Sequence, residues 1–223
     1  LVFMNGRNCA QYVQHAIRSV ALQDWPHKHV LYVDDASDDG SAELALSTLE
    51  ALMPGQHHLI RNTQRMGKAH NTSVHLRELA PLFDAVAVLD ADDQLIDPTI
   101  LGQLAQAYAN KRDIVWTDYV TDDGRLGGNG PLDMNQSPRA QPWLSSHLFS
   151  FRAYLLDFVP ESYFKDPDGE WLQAACDMAL AYPLLDLTRR YQHLPVVAYR
   201  YTSGNPQSHQ DRKSTRLNSS HVA

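Results

Sequence analysis

The chain has 223 residues, 43% of them hydrophobic, which suits one α/β domain with a sizeable core. Its formal net charge of −7 argues against a nucleic-acid-binding surface. No apolar run is long enough to span a bilayer, and no signal peptide is visible. Cys9 and Cys176 form neither a disulfide framework nor a metal-binding spacing. We therefore expect a cytoplasmic protein, with peripheral attachment to a membrane left open.

Strands and helices alternate through the first half of the chain. Short apolar segments predict strands at residues 1–4, 30–33, 59–60, 86–89 and 114–116. Apolar residues at helical spacing predict a helix after each of the first four strands. This alternation is typical of a mostly parallel sheet with right-handed crossovers.

The second half follows a different pattern. Residues 122–142 are rich in Gly, Pro and Asn, which predicts a long loop of the kind that often forms a lid or a binding loop. Beyond it, residues 151–156 and 169–182 are predicted to be helical, and residues 195–201 to form a late strand.

Acidic residues follow two of the predicted strands. Asp34 and Asp35 end one, and Asp90, Asp92 and Asp93 end another. In an open α/β sheet both ends face the edge where ligands bind. Adjacent carboxylates repel each other, so a folded protein usually keeps such a cluster because a cation lies there. A solvated turn rich in Asp is the alternative.

Taken together, the acids predict a site for a nucleoside diphosphate. One acid pair can hydrogen-bond a neutral polar group, while the other holds a divalent cation with open positions for phosphate oxygens. The polar loop that contains Arg65 and Lys68 can meet the same phosphates.

Three motifs resemble family 2 glycosyltransferases. The segment from Asn5 to Ser41, with its Val-Asp-Asp-Ala-Ser-Asp-Asp-Gly-Ser run, is similar to the N-terminal signature of that family. The segment from Asn62 to Asn71 resembles its Asn-x-x-Gly-x-x-x-x-Asn motif, and Asp90-Ala91-Asp92 stands where members carry D-x-D. The resemblance covers about residues 1–210. It implies a GT-A fold, a Rossmann-like mostly parallel sheet flanked by helices, with a smaller acceptor-side C-terminal part.

The resemblance also implies an inverting sugar transfer from a nucleotide sugar, with a role for each motif. Asn5 and Asp34 would lie on the donor side, and Asp35, with Asp34 as its neighbour, would take the edge of the nucleobase. Asp90 would bind ribose or metal, and Asp92 would bind the Mn²⁺ or Mg²⁺ that bridges the diphosphate. Met4 replaces a Tyr that packs on the base in many members.

An inverting transfer needs a base that deprotonates the acceptor hydroxyl. Asp177 matches the family position, although Cys176-Asp177 replaces the usual Glu-Asp pair, and Asp168 and Glu170 are rival bases. Apolar neighbours of Asp177 on the predicted helix are expected to raise its pKa. His147 lies in a segment, residues 145–152, that resembles the acceptor-side segment of a subgroup of this family.

The resemblance sets the expected domain boundaries. Residues 1–120 would form the nucleotide-sugar half and residues 121–210 the acceptor-binding half of one domain. Residues 211–223 resemble a translated sequencing adapter and are expected to be non-native. His209, next to that tail, is a weak candidate for a further metal ligand.

Other functions stay open at this point. A sugar nucleotidyltransferase would need a Gly-rich loop after the first strand, where the chain has Asn5-Gly6-Arg7-Asn8. An Asp-x-Asp phosphatase would need Thr or Val where Gln94 stands. A non-catalytic nucleotide-sugar-binding relic would keep Asp92 without needing Asp177. The acceptor would be a hydroxyl of a glycan, a lipid-linked sugar or a protein, in polysaccharide or glycan biosynthesis. The oligomeric state is not predicted.

Overall fold

The computed structural model describes residues 1–205, so the expected non-native tail and His209 lie outside the described residues. The strands are β1 (Val2–Gly6), β2 (Val30–Asp34), β3 (His57–Arg61), β4 (Ala85–Asp90), β5 (Gln94–Leu95), β6 (Ile114–Thr121), β7 (Ser150–Arg152) and β8 (Tyr191–Tyr201). The α-helices are α1 (Val13–Ala21), α2 (Ser41–Leu52), α3 (Lys68–Asn71), α4 (Arg77–Leu79), α5 (Ile100–Ala109) and α6 (Cys176–Leu187). A π-helical stretch, Thr72–Leu76, joins α3 to α4. None of the helices in the described part of the chain is long and apolar enough to cross a membrane.

All eight strands form one sheet in the order β3-β2-β1-β4-β7-β6-β8-β5. The first four in this order are parallel neighbours, β7 is antiparallel to both β4 and β6, and β8 is parallel to β6. Strands from both predicted halves of the domain therefore share one mostly parallel sheet. Its centre is covered on both faces, and all five residues of β2 are buried, as expected for a parallel strand between helical layers.

The registers bring the predicted acids together. Asn5 of β1 pairs with Asp90 of β4, and Gly6 pairs with Asp34 of β2. Three neighbouring strands thus end at the same level. The expectation that the two acidic strand ends meet at one edge of the sheet is confirmed.

The second half departs from the sequence prediction in two places. The helix predicted over residues 169–182 begins only at Cys176, because Gly169 (φ 85°) and Ala175 (φ 55°) adopt left-handed conformations that do not continue a helix. Residues 151–156 are not α-helical; they form the end of β7 and the start of a 3₁₀ segment, Ala153–Phe158. The late strand is confirmed, and Pro195 falls at a β-bulge where no ladder hydrogen bond is required.

Candidate active site

A cleft of about 570 Å³ opens at the carboxyl ends of β1, β2 and β4. The start of α6 and the end of β8 form its other walls. Its lining includes most of the residues predicted from the sequence, namely Asn5, Asp35, Arg65, Lys68, Asp90, Asp92, His147 and Asp177.

Asp35 organises the loop on one side of the cleft. Its Oδ1 accepts hydrogen bonds from Asn62 Nδ2 (2.9 Å), Met66 N (2.8 Å) and Asn71 Nδ2 (3.2 Å), and its Oδ2 accepts one from Gly67 N (2.9 Å). Burial pushes the pKa of Asp35 upward, but these hydrogen bonds outweigh it, and the pKa lies below its usual range. The carboxylate stays charged, and Oδ2 is its less occupied oxygen.

Asn5 joins this network across the sheet edge. Its Oδ1 accepts a hydrogen bond from Asn71 Nδ2 at 2.6 Å, which ties the end of β1 to α3. Asn62 and Asn71 belong to the motif that resembles the family, but no role was predicted for them. Their amides hold Asp35 and Asn5 in position, so they are site residues that the sequence argument missed.

Asp34 does not line the cleft. Successive side chains of a strand point to opposite faces, so Asp34 faces away from the side that Asp35 faces. It is fully buried, its Oδ2 accepts the Ser37 amide hydrogen at 3.0 Å, and its Oδ1 has no partner among residues 1–205. Asp35 therefore lines the cleft, whereas Asp34 lies behind it and stabilises the turn that follows β2.

The acidic loop after β4 is held by the end of β8. Asp92 Oδ2 accepts a hydrogen bond from Asn205 Nδ2 (2.8 Å), and Asp93 Oδ2 accepts one from the Tyr199 hydroxyl (2.5 Å). Asp93 is only 1% exposed. Burial, with Asp90 and Asp92 nearby, raises the pKa of Asp93 to about 8. Tyr199 and Asn205 were also missed, since they follow the acids by more than a hundred residues.

The donor set around Asp92 fits a hard divalent cation. Burial and the neighbouring Asp90 raise the pKa of Asp92. The hydrogen bond from Asn205 leaves the ionised Asp92 carboxylate with further acceptor capacity. No three His, Cys, Asp or Glu side chains within residues 1–205 converge on a common metal position. Mg²⁺ commonly uses one or two carboxylates and completes its shell with substrate phosphates, which matches this arrangement.

Lys68 links the acidic loop to α6. Its Nζ lies 2.6 Å and 2.9 Å from the two carboxylate oxygens of Asp90 and 2.7 Å from Oδ1 of Asp177. The burial of this amine would lower its pKa, but the two carboxylates more than offset that effect and hold the pKa of Lys68 well above its usual range. The cation therefore stays charged between two acids.

Asp177 lies in the first turn of α6, two residues after the left-handed Ala175. Its side chain is partly exposed because it faces the cleft. Desolvation by the cleft walls raises the pKa of Asp177, but Lys68 and His147 outweigh it and the pKa is lowered. The expectation that apolar neighbours raise this pKa is therefore wrong, because Lys68 reaches it from a distant part of the chain.

His147 lines the same cleft and lies within an aromatic stack. Its ring lies 4.7 Å from that of Tyr199 at an interplanar angle of 18°, and 5.3 Å from that of Tyr201 at 20°. Burial lowers the pKa of His147, an effect that Asp177 opposes. A neutral imidazole next to the cleft can offer either a donor or an acceptor to a ligand.

The rival bases lie elsewhere. Asp168 and Glu170 are exposed and are absent from the lining of the cleft. Their backbone amides both donate to Oδ1 of Asp166, which makes this stretch a tight acidic turn. Arg65 does line the cleft, on the loop organised by Asp35.

Comparison with known proteins identifies similar sequences and folds. The family model described as Glycosyl transferase family 2 matches residues 2–161. No curated protein matches the chain. The structure resembles S. aureus TarS (TM-score 0.71, 18% identity), covering 90% of this chain and 36% of that one.

Two further solved structures carry nucleotide sugars. S. aureus TarS 1-349 in complex with UDP-GlcNAc has a TM-score of 0.66 at 20% identity, covering 92% of this chain and 58% of that one. Mannosyltransferase PcManGT from Pyrobaculum calidifontis, in complex with GDP-Man and Mn²⁺, has a TM-score of 0.61 at 18% identity, covering 92% and 57%. These proteins share the GT-A fold, which confirms the fold expected from the motifs. The chain spans well under two thirds of the length of each.

Proposed function

Because the chain belongs to glycosyl transferase family 2, we propose that it transfers a sugar, with inversion, from a nucleotide-diphosphate donor to a hydroxyl acceptor. One observation carries the proposal: Lys68 holds the donor-side acid Asp90 and the base candidate Asp177 against one ammonium group, 2.6 Å and 2.7 Å away. Donor and acceptor chemistry would thus meet in one cleft.

The nucleobase is proposed to meet Asp35. Among residues 1–205, its Oδ2 has one donor against three on Oδ1, so Oδ2 is the better placed to accept a further hydrogen bond. Uracil N3 and guanine N1 carry a hydrogen, whereas cytosine N3 is an acceptor. A UDP-sugar is our first choice, and a GDP-sugar satisfies the same carboxylate.

The diphosphate is proposed to lie between Asp92 and the basic side chains Arg65 and Lys68, all of which line the cleft. Bound Mn²⁺ or Mg²⁺ would supply positive charge against the leaving diphosphate. Asp92 would hold the cation, with Asp90 beside it. Lys68 and Arg65 would add donors for phosphate oxygens.

Asp177 is proposed as the general base. The proton of the acceptor hydroxyl passes to its carboxylate, and the acceptor oxygen bonds to the anomeric carbon. The bond from that carbon to the diphosphate oxygen breaks on the opposite face, which inverts the configuration. The lowered pKa of Asp177 keeps it deprotonated at neutral pH, although a lower pKa also makes it a weaker base.

The acceptor is proposed to enter from the side of His147. A glycan, a lipid-linked sugar or a protein hydroxyl would each present the required nucleophile, and the product would enter polysaccharide or glycan biosynthesis. Nucleic acid is not expected as a partner, since the chain carries a formal net charge of −7.

The test is a panel of nucleotides and nucleotide sugars. Calorimetry with UDP, GDP and CDP, each with and without Mn²⁺, should give binding that needs the metal and favours UDP and GDP. One good charged hydrogen bond is worth about 1.5–3 kcal/mol, so CDP should bind at least about tenfold more weakly. Hydrolysis of UDP-GlcNAc and GDP-Man, with water in place of the acceptor, measures turnover. Equal binding of the three nucleotides would contradict the base assignment, and binding without any turnover would favour a non-catalytic relic.

A further inference from the structure

Tyr199 contacts both sides of the cleft from a buried position. It lies near the end of β8 and is 1% exposed. Its hydroxyl bonds to the acidic loop, and its ring stacks on His147. We propose that Tyr199 is a positioning residue for both halves of the site: its hydroxyl fixes the loop that bears Asp92, and its ring fixes His147. This inference rests on the proposed function.

The hydroxyl of Tyr199 makes two bonds to the acidic loop. It donates to Asp93 Oδ2 at 2.5 Å and accepts the Asp90 amide hydrogen at 3.3 Å. These bonds fix Asp90, two residues before Asp92, through its backbone amide, and Asp93, directly after Asp92, through its carboxylate. A displacement of this loop would therefore move the Asp92 carboxylate relative to the phosphates.

Two neighbours complete the attachment. Thr202 donates its amide hydrogen to Asp93 Oδ1 at 2.7 Å and its hydroxyl to the Asp92 carbonyl, and Asn205 donates to Asp92 Oδ2 at 2.8 Å. We call Tyr199, Thr202 and Asn205 the clamp. Within the clamp, Tyr199 alone also contacts His147, at a ring distance of 4.7 Å.

The hydroxyl and the ring of Tyr199 have separate roles, and this makes the proposal testable by two substitutions. Tyr199→Phe removes the bonds to the loop and keeps the ring against His147. Tyr199→Leu removes both. Tyr108→Phe is the matched control, because Tyr108 is also buried and its hydroxyl donates to Ser150 Oγ at 2.7 Å, away from the residues lining the cleft.

Two readouts are needed, neither of which requires an acceptor. Calorimetry with UDP and Mn²⁺ should show about tenfold weaker binding for Tyr199→Phe, the scale of one hydrogen bond. Tyr108→Phe should stay within about twofold of the wild type while losing similar thermal stability. The proton resonances of the His147 ring should remain in place in Tyr199→Phe and move in Tyr199→Leu, because only the second removes the stacked ring.

Each outcome decides the matter. If wild-type protein binds UDP and Mn²⁺ and Tyr199→Phe binds equally well, the positioning role is wrong while the proposed function stands. A similar loss of UDP affinity in Tyr108→Phe would mean that removal of a buried tyrosine hydroxyl weakens binding through general stability, and the positioning role of Tyr199 would be wrong. A Tyr199→Phe protein that does not fold would also overturn the proposal, since a positioning hydroxyl is not required for the fold. Wild-type protein that binds no nucleotide would overturn the proposed function itself.

Discussion

The ammonium group of Lys68 lies 2.7 Å from the carboxylate of Asp177, although the two residues belong to different halves of the chain. The same ammonium group contacts Asp90 at 2.6 Å. The contact with Lys68 lowers the pKa of Asp177. The shared ammonium group also fixes the distance between Asp177 and Asp90. The behaviour of Asp177 therefore depends on a residue of the donor loop.

Replacing Lys68 with Met should shift the pH dependence of turnover. Met retains most of the side-chain volume but not the charge, so desolvation is no longer offset and the pKa of Asp177 rises. A base works only when deprotonated, so the acidic limb of the kcat/KM profile should move to higher pH. Nucleotide-sugar hydrolysis measured across pH 4–9 tests this.

Lys165→Met is the control for that experiment. Lys165 pairs with Glu161 and lies over the Trp171 ring, and it does not line the cleft. Its profile should match the wild type. A Lys68→Met profile with an unmoved acidic limb would mean that Asp177 is not the titrating base.

Asp177→Asn should separate catalysis from donor binding. The amide keeps the size of the side chain but cannot take the acceptor proton. We expect kcat to fall by about 10²–10⁴-fold, the usual scale for the loss of a general base. Binding of UDP with Mn²⁺ should stay within a few-fold, because Asp177 is proposed to face the acceptor. Asp168→Asn and Glu170→Gln should retain turnover, and inactivity of either with an active Asp177→Asn would place the base on another acid.

Asp92→Ala should abolish the metal-dependent part of nucleoside diphosphate binding. Asp92 is the proposed ligand of the cation, and burial together with the neighbouring Asp90 raises its pKa. Calorimetric titration of UDP in the presence and absence of Mn²⁺ measures the effect. Asp97→Asn is the comparison variant, since Asp97 caps the turn before α5 through Thr99 and lies outside the lining of the cleft. If UDP binding by Asp92→Ala still depends on Mn²⁺ as in the wild type, Asp92 does not hold the cation.

Acid should weaken the fold through a histidine pair remote from the cleft. Burial and the neighbouring His58, whose Nδ1 lies 2.7 Å from Nε2 of His29, lower the pKa of His29 to about 4. A folded-state pKa below the ordinary 6.5 gives stability that is present above pH 6.5 and is lost as the pH falls toward 4. The free energy of unfolding should fall over this range by about 1 kcal/mol more in the wild type than in His29→Gln. Urea unfolding measures it, with the exposed His15→Gln as control.

The donor side of the site was predictable because its signals are local. A buried strand that ends in acid can be recognised within a few residues, and parallel strands bring such ends to one edge. Asp35, Lys68, Asp90 and Asp92 therefore lie where the sequence placed them. The one exception, Asp34, follows from the alternation of side chains along a strand.

The remaining features depend on contacts between distant segments. Trp171, Leu172 and Ala175 have helical spacing, yet left-handed backbone at Gly169 and Ala175 delays the start of α6 to Cys176. The effect of Lys68 on Asp177 arises only when α6 packs against α3, and the contacts of Tyr199 arise only when β8 joins the sheet. Such pairings leave no periodic pattern in either segment.

The clamp also sets an order of events during biosynthesis. Tyr199, Thr202 and Asn205 follow their partners Asp92 and Asp93 by 106 to 113 residues. Chains emerge from the ribosome N-terminus first, so the acidic loop is made long before the residues that hold it. A nascent chain that has already paired β1, β2 and β4 still lacks the contacts that fix its acidic loop. The proposed nucleotide affinity is therefore expected only once β8 and the clamp have joined the sheet.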